Sequence, residues 1–292
     1  MNQRTPGEGT AAHPGVRLRQ AIAAGETVPL IGVYDTFSAS IAGRHFQGIF
    51  VSGFGFAASH YGMPDIGFIA WPDMLAFVQR LRTVLPHHHI VVDIDDGYCD
   101  TEVACHVVRQ LAAIGASAVV LEDQLRPRRC GHLDGKQIME LDAYLDKLGK
   151  VLACRGDMLV VARTDATDEN EARRRADAFA QAGADAILME AVKRLTVLTE
   201  VRQRVGRPLV FNQIAGGKSP PATLSELHAA GVSLVNYSTP CLFAAQAAID
   251  ASMQALLAAD GRLPDAAPGL VDVAACNQLL HQNLAGLSLP GG

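Results

Sequence analysis

A chain of 292 residues, 49% hydrophobic and 19% charged, carries enough apolar mass for one large core or two modest ones. Its formal net charge of −5 argues against a nucleic-acid binder, which needs clustered Lys and Arg to displace counterions from phosphates. No apolar stretch follows a basic start at the N-terminus, and no run approaches roughly 18 uninterrupted apolar residues, so neither a signal peptide nor a membrane span is expected and a cytoplasmic protein is the default. The six cysteines (Cys99, Cys105, Cys130, Cys154, Cys241, Cys276) form no CxxC pair, which suits reduced thiols better than disulfides or a zinc site.

In chain order, residues 1–15 read as a disordered leader containing Gly, Pro and Thr. Short β-branched runs then alternate with segments of helical period. The runs are VPLIGV (28–33), GIFVSG (48–53), IVVDID (90–95), AVVLED (118–123), MLVVAR (158–163), AILMEA (186–191), PLVFN (208–212) and LVNYS (234–238). Helix-like stretches such as 101–116, 169–184 and 221–232 lie between them and run out near a Gly, as helices commonly do. Eight strands, each apolar enough to be covered on both faces and each followed by a helix, predict one α/β domain over 16–292, a (β/α)8 TIM barrel. An open doubly wound sheet uses the same units, but VSGFGFAAS (51–59) offers only two glycines of a phosphate-binding turn. Helical period in 247–260 and 270–287, around a Pro/Gly break, reads as a C-terminal extension for subunit packing.

A barrel places chemistry where strands end and βα loops begin. The eight ends carry Tyr34 and Asp35, Ser52, Asp93 and Asp95, Glu122 and Asp123, Arg163 and Asp165, Glu190, Asn212, and Tyr237. Asp35, Asp123 and Asp165 each precede a loop or helix and are read as caps. Asp93 and Asp95, two apart, are expected to point the same way beside Glu122, and such a carboxylate cluster is costly unless a cation neutralises it. Oxygen ligands without histidine favour Mg2+ or Mn2+ over zinc. Arg163 and Glu190, from strands across the barrel, face the same pocket, and the arginine suits a substrate carboxylate; metal and arginine together imply a small anionic oxyacid.

The stretch RRCGHLDGK (128–136) lies in the long loop after the fourth strand, over the same mouth. Basic neighbours are expected to lower the Cys130 thiol pKa, Gly131 permits close backbone approach to a ligand, and His132 joins them as an active-site candidate. The HHH run at 87–89 falls at the opposite end of the barrel and reads as a solvated turn.

Together VSGFGFAASHYGMPDIG (51–67), VDIDDGY (92–98), LEDQLRPRRCGHLDGK (121–136), VARTDA (161–166), LMEA (188–191) and NQIAGGKSP (212–220) resemble the isocitrate lyase/phosphoenolpyruvate mutase superfamily, over about residues 28–245. The resemblance implies a barrel whose last helix is often exchanged between subunits of a homodimer or homotetramer, with Mg2+ or Mn2+ at the strand ends. By position, Asp93 would bind the metal and Asp65, Asp95 and Glu122 its waters. The backbone of Ser52, Gly53 and Phe54, with Arg163 and Asn212, would hold the 2-oxo acid end of the substrate. The CGH loop resembles that of 2-methylisocitrate lyases, 2,3-dimethylmalate lyases, oxaloacetate hydrolases and carboxyphosphonoenolpyruvate mutases. In the lyases a 2-hydroxy acid is cleaved at a carbon–carbon bond and a loop cysteine, here Cys130, protonates the departing enolate.

Four positions depart from that pattern. Arg128 replaces the usual lysine, Ala215 stands where many relatives have Glu, Phe243 lies near an arginine position, and Asp96 is an extra acid beside the metal residues. They argue for a substrate smaller or less charged than a tricarboxylate. Phosphonomutase or hydrolase chemistry on carboxyphosphonoenolpyruvate or oxaloacetate is the alternative within the superfamily, and a non-catalytic ligand-binding barrel is the alternative outside enzymes.

Overall fold

The computed structural model describes residues 12–263 and 271–285. Its strands are β1 (Val28–Val33), β2 (Gly48–Val51), β3 (His89–Asp93), β4 (Ala118–Glu122), β5 (Leu159–Thr164), β6 (Ala186–Met189), β7 (Leu209–Gln213) and β8 (Val232–Tyr237). The helices are α1 (Pro14–Ala23), α2 (Thr36–Ala42), α3 (Gly53–Phe56), α4 (Trp71–Val84), α5 (Thr101–Ile114), α6 (Leu141–Cys154), α7 (Glu169–Gln181), α8 (Leu195–Val205), α9 (Leu224–Ala229), α10 (Pro240–Ala258) and α11 (Val273–Ala285). All eight predicted strands are present, and they pair in chain order into a closed ring. Parallel pairing of β1 with both β2 and β8 completes the closure and rules out the open sheet.

Alternate strand residues serve two cores, because successive side chains leave a strand on opposite faces. Leu30, Phe50, Val91, Val120, Val161, Leu188, Val210 and Leu234 point inward and fill the barrel. Their neighbours, among them Ile31, Ile49, Val51, Ile90, Val92, Val119 and Val235, belong to the shell under the helices. Burial on both faces explains why the strands read as unbroken apolar runs.

The inner core is stoppered at its N-terminal end by fully buried Leu18 of α1. This helix begins inside the predicted leader: His13 caps it by accepting the Gly15 N–H, and Pro14 sits in its first turn, where its missing N–H costs nothing. Gly15 presses so close to β5 that a Cβ would lie 2.2 Å from the Asp157 carbonyl oxygen. Residues 12–15 are therefore ordered against the barrel, while the rest of the leader lies outside the described residues. So does the Pro/Gly break before α11.

At the other end of the chain α10 leaves the barrel with no residue buried, and Ile249, Met253 and Leu257 are exposed. Although Asp250 interrupts its apolar run, this helix is long and apolar enough to cross a membrane by length and composition alone. An apolar groove of about 710 Å3 beside its start is lined by Ile31, Phe37, Ile41, Phe46, Leu224 and Ala244 among others.

The histidine run is not the solvated turn its composition predicts. His87 is exposed, but the His88 ring donates to the Gly43 carbonyl at 2.9 Å and His89 is half-buried under α1. Burial pushes the His89 pKa down to about 4, helped by Arg17, Arg82 and His88 and opposed by a hydrogen bond to the Pro14 backbone. Unfolding returns His89 to about 6.5, so between those values the unfolded chain binds a proton that the folded chain refuses. The unfolding free energy of the parent is therefore expected to fall more steeply than that of His89→Gln as pH drops from 6.5 to 4, in urea melts of the two. Parallel slopes would remove His89 from the account.

Candidate active site at the C-terminal mouth

The loop after β4 folds back on itself as a gate. Leu125 N–H donates to the Gln137 carbonyl and Met139 N–H to that of Asp123, both at 2.8 Å. Gln124 braces the turn from inside: its side chain accepts from Arg129 N–H at 3.0 Å and donates to Arg129 O at 2.9 Å. Residues 125–137 thus hang from a short two-stranded stem over the barrel mouth.

Beneath the gate lie the predicted carboxylates. Asp93 ends β3, but Asp95 has left the strand with φ +51°, a left-handed turn that brings its N–H to Asp93 Oδ1 at 3.2 Å. The two acids meet through this turn rather than through strand alternation. Asp65, Asp93, Asp95 and Glu122 are all buried. Arg128 of the gate, 2% exposed, lies among three of them: Nη1 contacts Asp65, Nη2 is 3.1 Å from Asp95 Oδ1 and Nε donates to Glu122 Oε1 at 2.9 Å. Burial raises the pKa of Asp93, Asp95 and Glu122, with Arg128 pulling the other way on each; Glu122 settles at about 7.

Arg163, at the end of β5, binds Asp165 through two hydrogen bonds at 2.9 and 3.1 Å and sits 3.3 Å from Glu122 and 3.4 Å from Glu190. Its Nη1 faces Asp93 at 3.9 Å. Glu190 receives the Asn212 amide at 3.2 Å, and the Ser238 hydroxyl donates to Asn212 Oδ1 at 2.5 Å. Burial would raise the Glu190 pKa, but Arg163, His132 and Lys136 hold it down at about 2. His132 accepts the Lys218 N–H at Nδ1, at 2.9 Å, while Nε2 lies 2.8 Å from Glu190 Oε1 without a well-aligned hydrogen bond.

Asp35 is a helix cap as expected, closing a capping box with Ser38. Asp123 and Asp165 are not caps. Asp123 accepts from Asp165 N–H and Arg175, each at 2.9 Å, while Asp165 binds Arg163 and Lys136. The extra acid Asp96 adds no free charge at the mouth, because Arg126 covers it through two hydrogen bonds at 2.8 and 3.0 Å. Arg126 and Lys136, expected only as basic neighbours of the thiol, pair instead with Asp96 and Asp165. Two residues that sequence reasoning left without a role, Lys218 and Ser238, also fasten this site; their signal was weak, since loop lysines and serines are usually solvated.

Cys130 lies at a cavity of about 20 Å3 lined also by Ser52, Phe54, Asp65, Asp93, Gly131, His132, Arg163, Asn212 and Ile214. The thiol pKa is raised by burial, with Asp65 and Glu190 adding to it and Arg163 opposing, contrary to the lowering expected from basic neighbours. The loop arginines spend their charge on carboxylates before it reaches the sulfur. A space of this size admits about one water, so any substrate requires the gate to move. Predicted contacts Ser52, Gly53 and Phe54 form the start of α3, where Gly53 is tight enough that a Cβ would lie 3.3 Å from Asp95 Oδ1.

Among the described residues no three Asp, Glu, His or Cys side chains converge to grip a metal ion directly. The donor set nevertheless fits a hard divalent cation that keeps most of its waters. Asp93 lines the cavity, and buried Asp95 Oδ1 and Glu122 Oε2 lack a well-aligned hydrogen bond, leaving acceptors for metal-bound water.

A closed barrel with buried acids, an arginine and a cysteine gathered at its C-terminal mouth has the layout of a TIM-barrel enzyme. The sequence pattern of the phosphoenolpyruvate phosphomutase family matches residues 18–257. A 2-methylisocitrate lyase of Aeropyrum pernix is 34% identical over 226 residues, covering 76% of this chain and 73% of that one. The crystal structure of a 2,3-dimethylmalate lyase superposes with a TM-score of 0.86 at 27% identity, covering 97% of both chains. A phosphonopyruvate hydrolase in complex with oxalate and Mg2+ superposes with a TM-score of 0.80 at 25% identity, covering 94% of this chain and 97% of that one. The chain belongs to the phosphoenolpyruvate phosphomutase family of the phosphoenolpyruvate mutase/isocitrate lyase superfamily, and its named relatives make it an enzyme of the carbon–carbon lyase type.

Gly131 is the position where the closed gate tolerates least. An added Cβ would lie 2.4 Å from Arg163 Nη2 and 2.5 Å from Glu190 Cγ. Gly131→Ala is expected to keep the fold by circular dichroism yet lose on the order of 10²-fold in kcat/KM, the cost of a displaced catalytic loop. Full activity in that variant would mean that the gate does not close this far during turnover.

Proposed function

We propose that the chain is a Mg2+- or Mn2+-dependent lyase that cleaves a 2-hydroxy dicarboxylate to a 2-oxo acid and a carboxylate, with Cys130 as proton donor. One observation carries the reading: the thiol, kept protonated by burial, borders the same small cavity as Asp93, Arg163 and Asn212. The family relation and the Mg2+ and oxalate of the related hydrolase support the metal and the 2-oxo acid end.

Asp93 would hold the metal and Asp65, Asp95 and Glu122 its waters; the ion supplies Lewis-acid charge for the oxygens of the 2-hydroxy acid. Backbone N–H groups at the start of α3, with Asn212 and the cavity-facing edge of Arg163, orient the carboxylate. A base at the mouth takes the 2-hydroxyl proton, and that C–O bond becomes a carbonyl as the C–C bond breaks. The electron pair passes to the other fragment as an enolate, and the Cys130 S–H delivers its proton to that carbon. A thiol held neutral in a site closed from water suits this step. His132 is a positioning residue that ties the gate to Glu190 and to the loop after β7.

The cavity favours a substrate without a third carboxylate. Its lining cations are Arg128 and Arg163, both already paired with protein carboxylates. Beside Ser238, the wall is apolar at Phe54 and Ile214, and Phe243 backs Phe54 from outside the cavity, edge-on at 6.2 Å. An alkyl substituent fits this wall better than a charge.

We further propose that exposed, apolar α10 packs in the groove beside β1 and β8 of a second copy, giving a homodimer or homotetramer. Its unburied face and the groove of about 710 Å3 support this.

Release of 2-oxo acid from a panel of 2-hydroxy di- and tricarboxylates, followed with a coupled dehydrogenase, tests the reading. Release is expected to need Mg2+ or Mn2+, to be fastest for a dicarboxylate with an apolar substituent, and to fall at least about 10²-fold in Cys130→Ser. No release from any member would sink the lyase and point to phosphonate chemistry, to be followed by phosphorus NMR. In Phe243→Arg the preference is expected to move at least about tenfold toward tricarboxylates, a single charge contact's worth; an unmoved ratio of kcat/KM values would mean that this wall does not read the substrate.

A further inference from the structure

The gate is fastened by charge, and its cations are not equivalent. Arg126 meets Asp96 at the rim with its side chain 33% exposed, and Lys136 joins an Asp165 that Arg163 already neutralises. Arg128 alone among these three reaches the cluster, and one planar guanidinium spans acids from three places in the chain: Asp65 before α4, Asp95 after β3 and Glu122 at the end of β4. A lysine, with its donors on one compact ammonium, lacks the planar fork that spreads Nη1, Nη2 and Nε over these three partners. The same three carboxylates are those assigned above to the metal's waters.

We propose that Arg128 is the electrostatic latch of the gate, and that a divalent cation and the closed gate compete for Asp65, Asp95 and Glu122. The inference rests on the metal reading for its second half only. With the gate open, four carboxylates crowd the mouth, and the nearby Arg163 is shared with Asp165 and Glu190. Positive charge is then strongly favoured, and either Arg128 or the ion supplies it. Each weakens the attraction felt by the other, because like charges a few ångströms apart repel in a poorly screened site. Linkage makes the effect reciprocal: if the metal loosens the gate, closing the gate loosens the metal by the same factor. The metal-free enzyme therefore rests shut with Cys130 half-buried, and metal arrival frees the gate to admit substrate and exposes the thiol further.

The test uses the full chain stripped of metal with EDTA. Alkylation by iodoacetamide is followed at each cysteine by peptide mass spectrometry, and Mg2+ binding by calorimetry. Mg2+ is expected to speed Cys130 alkylation in the parent at least threefold. In metal-free Arg128→Gln alkylation of Cys130 should be at least tenfold faster than in the parent and no longer respond to Mg2+, while Mg2+ binds at least threefold more tightly. Arg128→Lys should fall between, and Arg126→Gln should stay within twofold of the parent. Cys105, buried in α5, reports folding: it must remain protected throughout. If Gln at 128 unfolds the chain, the Mg2+ response of the parent and the Arg128→Lys rate decide instead.

Unchanged Cys130 alkylation in a folded Arg128→Gln overturns the latch. Slower alkylation with Mg2+, or weaker Mg2+ binding by the variant, overturns the competition. If neither chain binds Mg2+, the competition falls together with the metal assignment, and the metal-free alkylation rates decide the latch on their own.

Discussion

The site depends on one buried guanidinium. Arg163 at the end of β5 reaches Asp165 beyond its own strand, Glu122 on β4, Glu190 after β6 and Asp93 on β3, so a single charge stitches the C-terminal ends of neighbouring strands. Breaking a buried ion pair by removing one partner costs about 3–5 kcal/mol, because the other charge is left stranded. Here several carboxylates would be stranded at once. The polar mouth of the barrel therefore acts as one network, and its members adjust together.

The gate docks on that network with an inverted surface. Its apolar side chains Leu125 and Leu133 are turned outward, 42% and 55% exposed, while Arg128, Gly131 and the ammonium of Lys136 face in. Apolar contact is non-directional, whereas paired charges and hydrogen bonds hold one register. A loop closed by charge is also one that a change of charge beneath it can open. Its closure leaves Cys130 half-buried beside room for about one water, the setting that the proposed proton donation by a neutral thiol would use.

The outer parts of the molecule follow from the same barrel. Closing β1 onto β8 completes the barrel at Tyr237, and although the start of α10 lies against β1, none of its residues is buried. An exposed apolar helix and an apolar groove lie side by side in the chain, the pair of surfaces that the proposed packing between copies would cover. At the opposite end α1 does the reverse: it folds back, and Leu18 closes the inner core at the cost of crowding Arg17, Arg82, His88 and His89 together.

The sequence by itself determined the architecture. Continuous β-branched runs spaced by helical segments mark strands covered on both faces, and all eight appear within a few residues of their predicted places. It also marked the residues that meet at the mouth, because in a barrel every strand end faces the same space. Partners were a different matter. Asp123 and Asp165 looked like caps and proved to be buried ion-pair members, Asp95 joined Asp93 through a left-handed turn, and His132 accepted at Nδ1 from the Lys218 backbone. Cys130 kept a raised pKa although arginines flank it in sequence. Periodicity and strand order are local properties that a sequence carries openly. Which carboxylate an arginine chooses, and how much water is left around it, depends on contacts tens of residues apart, such as Arg128 with Asp65, and only the tertiary structure decides those.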